Sequence, residues 1–105
     1  MDLVVEVYEL SRSFPRAEAF GLTAQLRGAV VSIPSNISEG QGRLRRGDFR
    51  HHLPIARGSL AEAEAQIQIA CRLGYLPQAT FDTIWERFQE VGRLLNGLIR
   101  SFDEP

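Results

Sequence analysis

The 105-residue sequence predicts an all-α fold, an antiparallel up-and-down four-helix bundle with a kinked second helix, on three observations. Apolar residues recur at alternating intervals of three and four in four separate stretches, the mark of a helix with one buried stripe. Glycine or proline punctuates the stretches at short connections, which makes consecutive helices antiparallel neighbours. No stretch sustains the period-two alternation of a half-buried strand. A chain of this length is expected to form one domain spanning residues 1–105.

The first helix carries Leu3, Val7, Leu10 and Phe14 on its stripe and is expected to stop at Phe14-Pro15, because a residue before proline is driven out of the helical region. After Gly21 the second carries Leu22, Leu26, Ala29, Ile33, Asn36 and Gly40. Pro34 lies inside it and removes one backbone donor, so a kink is expected there, with Ser32 or Ser35 hydroxyls satisfying freed groups. The third has an unbroken series of Phe49, Leu53, Ala56, Leu60, Ala63, Ile67 and Ala70, with Pro54 near its start. Gly74 reads as its C-cap. Pro77 can open the fourth helix, whose stripe is Phe81, Ile84, Phe88, Val91, Leu95, Leu98 and Phe102. Gly58-Ser59 in mid-helix implies a close approach of helices, since glycine there costs about 1 kcal/mol relative to alanine.

Composition excludes several classes of function. One cysteine, Cys71, cannot form an internal disulfide. The opening Met1-Asp2-Leu3 lacks the basic-then-apolar pattern of a signal peptide, and no apolar run is long enough to span a membrane, so a cytoplasmic protein without membrane contact is expected. The net charge of −1 argues against wholesale electrostatic attraction to nucleic acid. The distribution is uneven, however. Between Gly40 and Gly58, five arginines stand against Asp48, a local +4 that leaves −5 for the rest of the chain. All twelve basic residues are arginine.

The runs Gln25-Leu-Arg27, Ser32-Ile-Pro-Ser-Asn-Ile-Ser-Glu-Gly40, Ile55-Ala-Arg-Gly-Ser-Leu-Ala-Glu62 and Leu73-Gly-Tyr-Leu76 resemble the four-helix bundle family of intervening-sequence proteins. Its members are encoded in insertions within large-subunit ribosomal RNA genes, and their ribosomal label comes from gene location rather than from a known role. The resemblance runs from Val7 to Leu98. The family fold is similar to that of the accessory protein of diversity-generating retroelements, a pentameric ring that assists a reverse transcriptase. The resemblance implies a homo-oligomer, a pentamer, with no established activity. Gly28 stands where the family often has a second arginine, the chain starts later than members usually do, and it is far less basic than the accessory protein.

Candidate residues follow from both readings. Asn36, an amide on a core stripe, sets register, with Ser59 or Gln66 as partner. Arg27, Glu39 and Glu62 match family positions and are expected to join it in a structural inter-helix network. Arg43, Arg45, Arg46 and Arg50 form a candidate RNA or DNA patch. Val5 and Tyr8 point away from the first helix's stripe, and Ile55 and Ile69 lie about 120–160° from the third's, so these four are the expected oligomer interface. His51 and His52 diverge by about 100° on a helix, which is wrong for one metal, and Asp48-x-x-His51 has no second half. Cys71 reads as packing. With no serine–histidine–acid set and no phosphate loop, neither an enzyme, a cofactor nor a small-molecule substrate is expected.

Overall fold

A computed structural model of the chain describes residues 1–41 and 46–103. Helix α1 spans Asp2–Leu10, followed by single 3-10 turns at Ser11–Ser13 and Arg16–Glu18. Helices α2 (Leu22–Gln41), α3 (Arg46–Arg72) and α4 (Gln78–Asp103) complete the order, and no strand occurs among the described residues. Helix α1 packs on α2 and α4, and α3 packs on the same two, so α1 and α3 are diagonal. The pairs Gln25–Gln66, Ser32–Ser59 and Asn36–His52 run α2 against α3 in opposite directions. Gln89–Glu64 and Phe49–Phe102 do the same for α3 and α4.

The stripes meet in one core. Leu3, Val7, Leu26, Ile33, Leu53, Leu60, Ile67, Phe88 and Leu95 are sealed from solvent. Six of the seven α3 stripe residues are buried, with Phe49 half-buried at the end of the row. Burying each large aliphatic side chain contributes about 1.5–3 kcal/mol before entropy is counted. Val30 also joins the core, one position off the α2 stripe. On α4 the expected stripe drifts near its end: Leu98 is exposed and Ile99 packs on the core instead. A straight helix turns about 20° per heptad relative to a strict seven-residue repeat, which accounts for that one-residue slip.

The caps follow local chemistry. Phe14 is extended before Pro15 (ψ 150°), ending the first helical segment where the proline rule places it. Gly74 adopts φ +80°, with Tyr75 N–H donating to the Ala70 carbonyl and Gly74 N–H to that of Cys71, the two bonds of a Schellman cap. Helix α2 runs continuously through Pro34. The Ser32 hydroxyl is engaged by Ser59 and Asn36 rather than by a backbone group freed at the proline.

The glycine expectation needs correction. A Cβ on Gly58 would meet nothing within 4 Å, so this glycine is not what lets α2 approach, although Ser59 beside it touches Ser32. The close approach is at Gly40, where a Cβ would stand 2.8 Å from Phe49 Cδ2 and 3.1 Å from His52 Cβ. The end of α2 and the start of α3 therefore touch backbone to ring, which only glycine permits.

Candidate interaction surfaces and the inter-helix polar site

The unusual segment of α2 builds a polar link across the α2–α3 seam. Asn36 lies one turn after Ser32, and its amide nitrogen donates to the Ser32 carbonyl (2.8 Å) and hydroxyl (3.0 Å). The Asn36 carbonyl oxygen then accepts from Nδ1 of His52 at 3.2 Å, which places the proton on that ring nitrogen. Ser32 Oγ and Ser59 Oγ share a hydrogen at 2.8 Å. Ser59 thus joins through Ser32 rather than directly, and His52 is the α3 partner of Asn36. Gln66 lies further along and donates to Gln25 (3.5 Å) and Glu62 (3.3 Å). The i, i+4 spacing of Ser32 and Asn36 was visible in the sequence. The facing of His52 depends on inter-helix register and was not.

Arg27 does not pair with Glu62, which accepts from Gln66, but turns to α1. Arg27 Nε donates to Ser11 Oγ at 2.8 Å and Nη2 to the Tyr8 carbonyl at 3.3 Å, while its guanidinium lies 4.8 Å from the Tyr8 ring centroid. Ser11 is buried, and its hydroxyl also donates to the Tyr8 carbonyl. Arg27 therefore caps the C-terminal end of α1, where unpaired carbonyls and the helix dipole favour a cation. Glu39 and Glu62 are exposed, so neither belongs to a buried charge cluster.

Two side-chain links unforeseen from sequence close the bundle. Arg87 grips Glu6 with two bonds of 2.9 Å, joining α4 to α1. The hydrogen bonds and charge of Glu6 hold the Arg87 guanidinium above its usual pKa. Tyr75 donates its hydroxyl to Glu18 at 2.8 Å, tying the α1–α2 connection to the α3–α4 connection. That bond, then burial and the carboxylate charge, push the phenol above its ordinary pKa.

Of the arginine cluster, Arg43 and Arg45 lie outside the described residues. Arg46 begins α3, and Arg50 is exposed on it. His51 is exposed, and no group of three metal-ligating side chains comes together among the described residues. Cys71 is half-buried, 3.8 Å from Gln78 Oε1. No helix among those described is long and apolar enough to cross a membrane.

The outward apolar residues lie as expected. Val5 (56%), Tyr8 (40%), Ile55 (42%) and Ile69 (48%) are all substantially exposed. Val5 shares a groove between α1 and α2 with Met1, Val4, Val31 and Pro34. Ile69 lines a second groove between α3 and α4 with Ala65, Cys71 and Phe81. Since α1 and α3 are diagonal, these surfaces lie on different sides of the subunit. Phe20, in the α1–α2 connection, is 99% exposed, and nothing in its sequence context marked it.

A family model described as 23S rRNA-intervening sequence protein matches residues 1–97. The chain is similar to a crystal structure, solved at 1.70 Å resolution, of a protein of unknown function from the S23 ribosomal protein family of Bacteroides thetaiotaomicron. The two share 25% identity and superpose with a TM-score of 0.78 over 91% of this chain and 87% of that one. No curated protein matches the sequence.

Proposed function

Because the chain belongs to the 23S rRNA-intervening sequence protein family, we propose that it is a non-enzymatic scaffold whose working form is a closed ring of five identical bundles. The observation that supports this reading is the pair of unlike apolar surfaces, Val5 and Tyr8 on one side and Ile55 and Ile69 on another. A surface that fits a different surface of the next copy gives a heterologous contact, and such contacts close into rings when the rotation allows. The number five comes from the fold's resemblance to the retroelement accessory protein. Ile55→Glu places a charge in the contact and is expected to break the ring without unfolding α3, where the residue is exposed. Sedimentation equilibrium is expected to return a particle five times the 11.8 kDa chain. A single-chain mass at micromolar concentration would refute the scaffold reading.

An accessory role in binding RNA or DNA is the second reading, supported by the local +4 between residues 40 and 58. A ring repeats that patch in each subunit and turns a modest cluster into a multivalent surface. Replacing Arg43, Arg45, Arg46 and Arg50 with glutamine is expected to flatten the salt dependence of binding to single-stranded RNA, because fewer counterions are released. Absence of binding at about 50 mM salt, a condition that favours phosphate contacts, removes this reading.

A further inference from the structure

Helix α3 carries a second row that its own subunit does not cover. Ile55, Gly58, Glu62, Ala65 and Ile69 follow at intervals of three, four, three and four, each two residues after a member of the core stripe. Two residues turn a helix by about 200°, so the row faces away from the core, and all five are exposed. A sustained seven-residue repeat is the pattern of a helix face that packs on another helix. At the middle of this one stands Gly58, a residue that weakens a helix interior and whose added Cβ would meet nothing within 4 Å. No packing within the subunit uses that notch. Helix α1 presents a matching row: Met1, Val5, Tyr8 and Arg12 are spaced four, three and four, and all four are exposed.

We propose that α1 of one copy lies parallel on the outward row of α3 of a second copy, with Val5 on Ile55, Tyr8 over Gly58 and Arg12 beside Glu62. This contact rests on the ring reading and gives its two apolar surfaces a register. Spacing, size and charge select it together. Arg12 to Tyr8 and Glu62 to Gly58 are both steps of four, and Tyr8 to Val5 and Gly58 to Ile55 are both steps of three. The largest side chain of one row then meets the residue of the other that has none. The Tyr8 ring is already held in place by Arg27, 4.8 Å from its centroid. Each row carries one charged side chain, and the two are of opposite sign. Arg12 pairs with no group among the described residues, and Glu62 has Oε1 on Gln66 with its second oxygen to offer. Run antiparallel, the same Arg12–Glu62 pair sets Tyr8 against Ala65 and leaves the Gly58 notch unused. The outward row of α4 that carries Leu94 and Leu98 fits less well, because its cation, Arg87, is gripped by Glu6.

Sedimentation of full-length variants tests the contact. Gly58→Leu fills the notch at a position that is open in the subunit, so its helical content and urea midpoint are expected to equal or exceed those of the wild type. Its concentration for half-assembly should nevertheless rise about tenfold or more, the effect of overpacking a fitted contact. Ala65→Leu, one turn beyond the end of the contact, should assemble as the wild type does. Arg12→Glu and Glu62→Arg are each expected to weaken assembly. Both together in one chain should restore it, because every contact unites residue 12 of one copy with residue 62 of another. If Ala65→Leu blocks assembly and Gly58→Leu does not, the parallel register is overturned. A double charge reversal that recovers nothing overturns the pairing of Arg12 with Glu62. Assembly indifferent to all four variants but lost with Leu94→Glu assigns the α3 row to α4, which overturns the contact while the ring stands. A wild-type chain that sediments as a monomer overturns both.

Discussion

Asn36 on α2 accepts a hydrogen bond at 3.2 Å from Nδ1 of His52 on α3, and both of its own amide hydrogens go to Ser32 one turn earlier. A core-stripe amide is thereby used in full and admits one alignment of the two helices. Asn36→Leu strands the His52 donor and is expected to lower stability by about 1–3 kcal/mol. The added apolar area offsets part of that loss. Helical content by circular dichroism should hold while the urea midpoint falls; an unchanged midpoint removes the register role.

Gly40 and Gly58 are expected to respond in opposite directions to the same substitution. Gly40→Ala drives a methyl into the Phe49 ring and is expected to cost about 1–3 kcal/mol, the usual range for overpacking. Gly58→Ala meets open space and should stabilise the isolated subunit by roughly 0.5–1 kcal/mol through helix propensity. Thermal melts of the two variants check the contrast, and equal signs would refute it.

Arg27→Ala is expected to cost about 1–3 kcal/mol, since it withdraws a charged donor from buried Ser11 and uncaps α1. Glu62→Ala, at an exposed carboxylate, withdraws one 3.3 Å acceptor from Gln66 and should cost no more than about 1 kcal/mol. Denaturant titration of both variants separates a helix-end cap from a buried charge network, which demands a large loss at the glutamate.

Tyr75 sets an alkaline limit. Its folded pKa lies above the unfolded value near 10, so the neutral phenol favours the native state. The contribution is present below pH 10 and fades as pH rises through the folded pKa. Tyr75→Phe is expected to be less stable at neutral pH yet to lose less between pH 9 and pH 11. Urea midpoints measured across that interval give the test, and parallel curves for the two proteins would exclude the Glu18 bond as the cause.

The bundle and nearly all its core were legible in the sequence because helical burial depends on period alone. Leu53, Ala56, Leu60, Ala63, Ile67 and Ala70 repeat at three and four, and no other regular structure puts those residues on one face. The caps were legible for the same local reason: Phe14-Pro15 and Gly74 act through their own backbone preferences. The outward direction of Val5, Tyr8, Ile55 and Ile69 follows from angle around a helix, which is again a property of spacing.

What only the tertiary structure decided was which side chain meets which. His52 rather than Gln66 faces Asn36, Arg27 reaches Ser11 rather than a glutamate, and Gly40 rather than Gly58 admits a neighbour. Each of these depends on the axial offset of one helix against another. That offset is chosen by the whole core at once, since sliding a helix by one residue, about 1.5 Å, moves every cross-helix pair together. Sequence period determines the buried face of each helix; the sum of packing across all four determines the pairs.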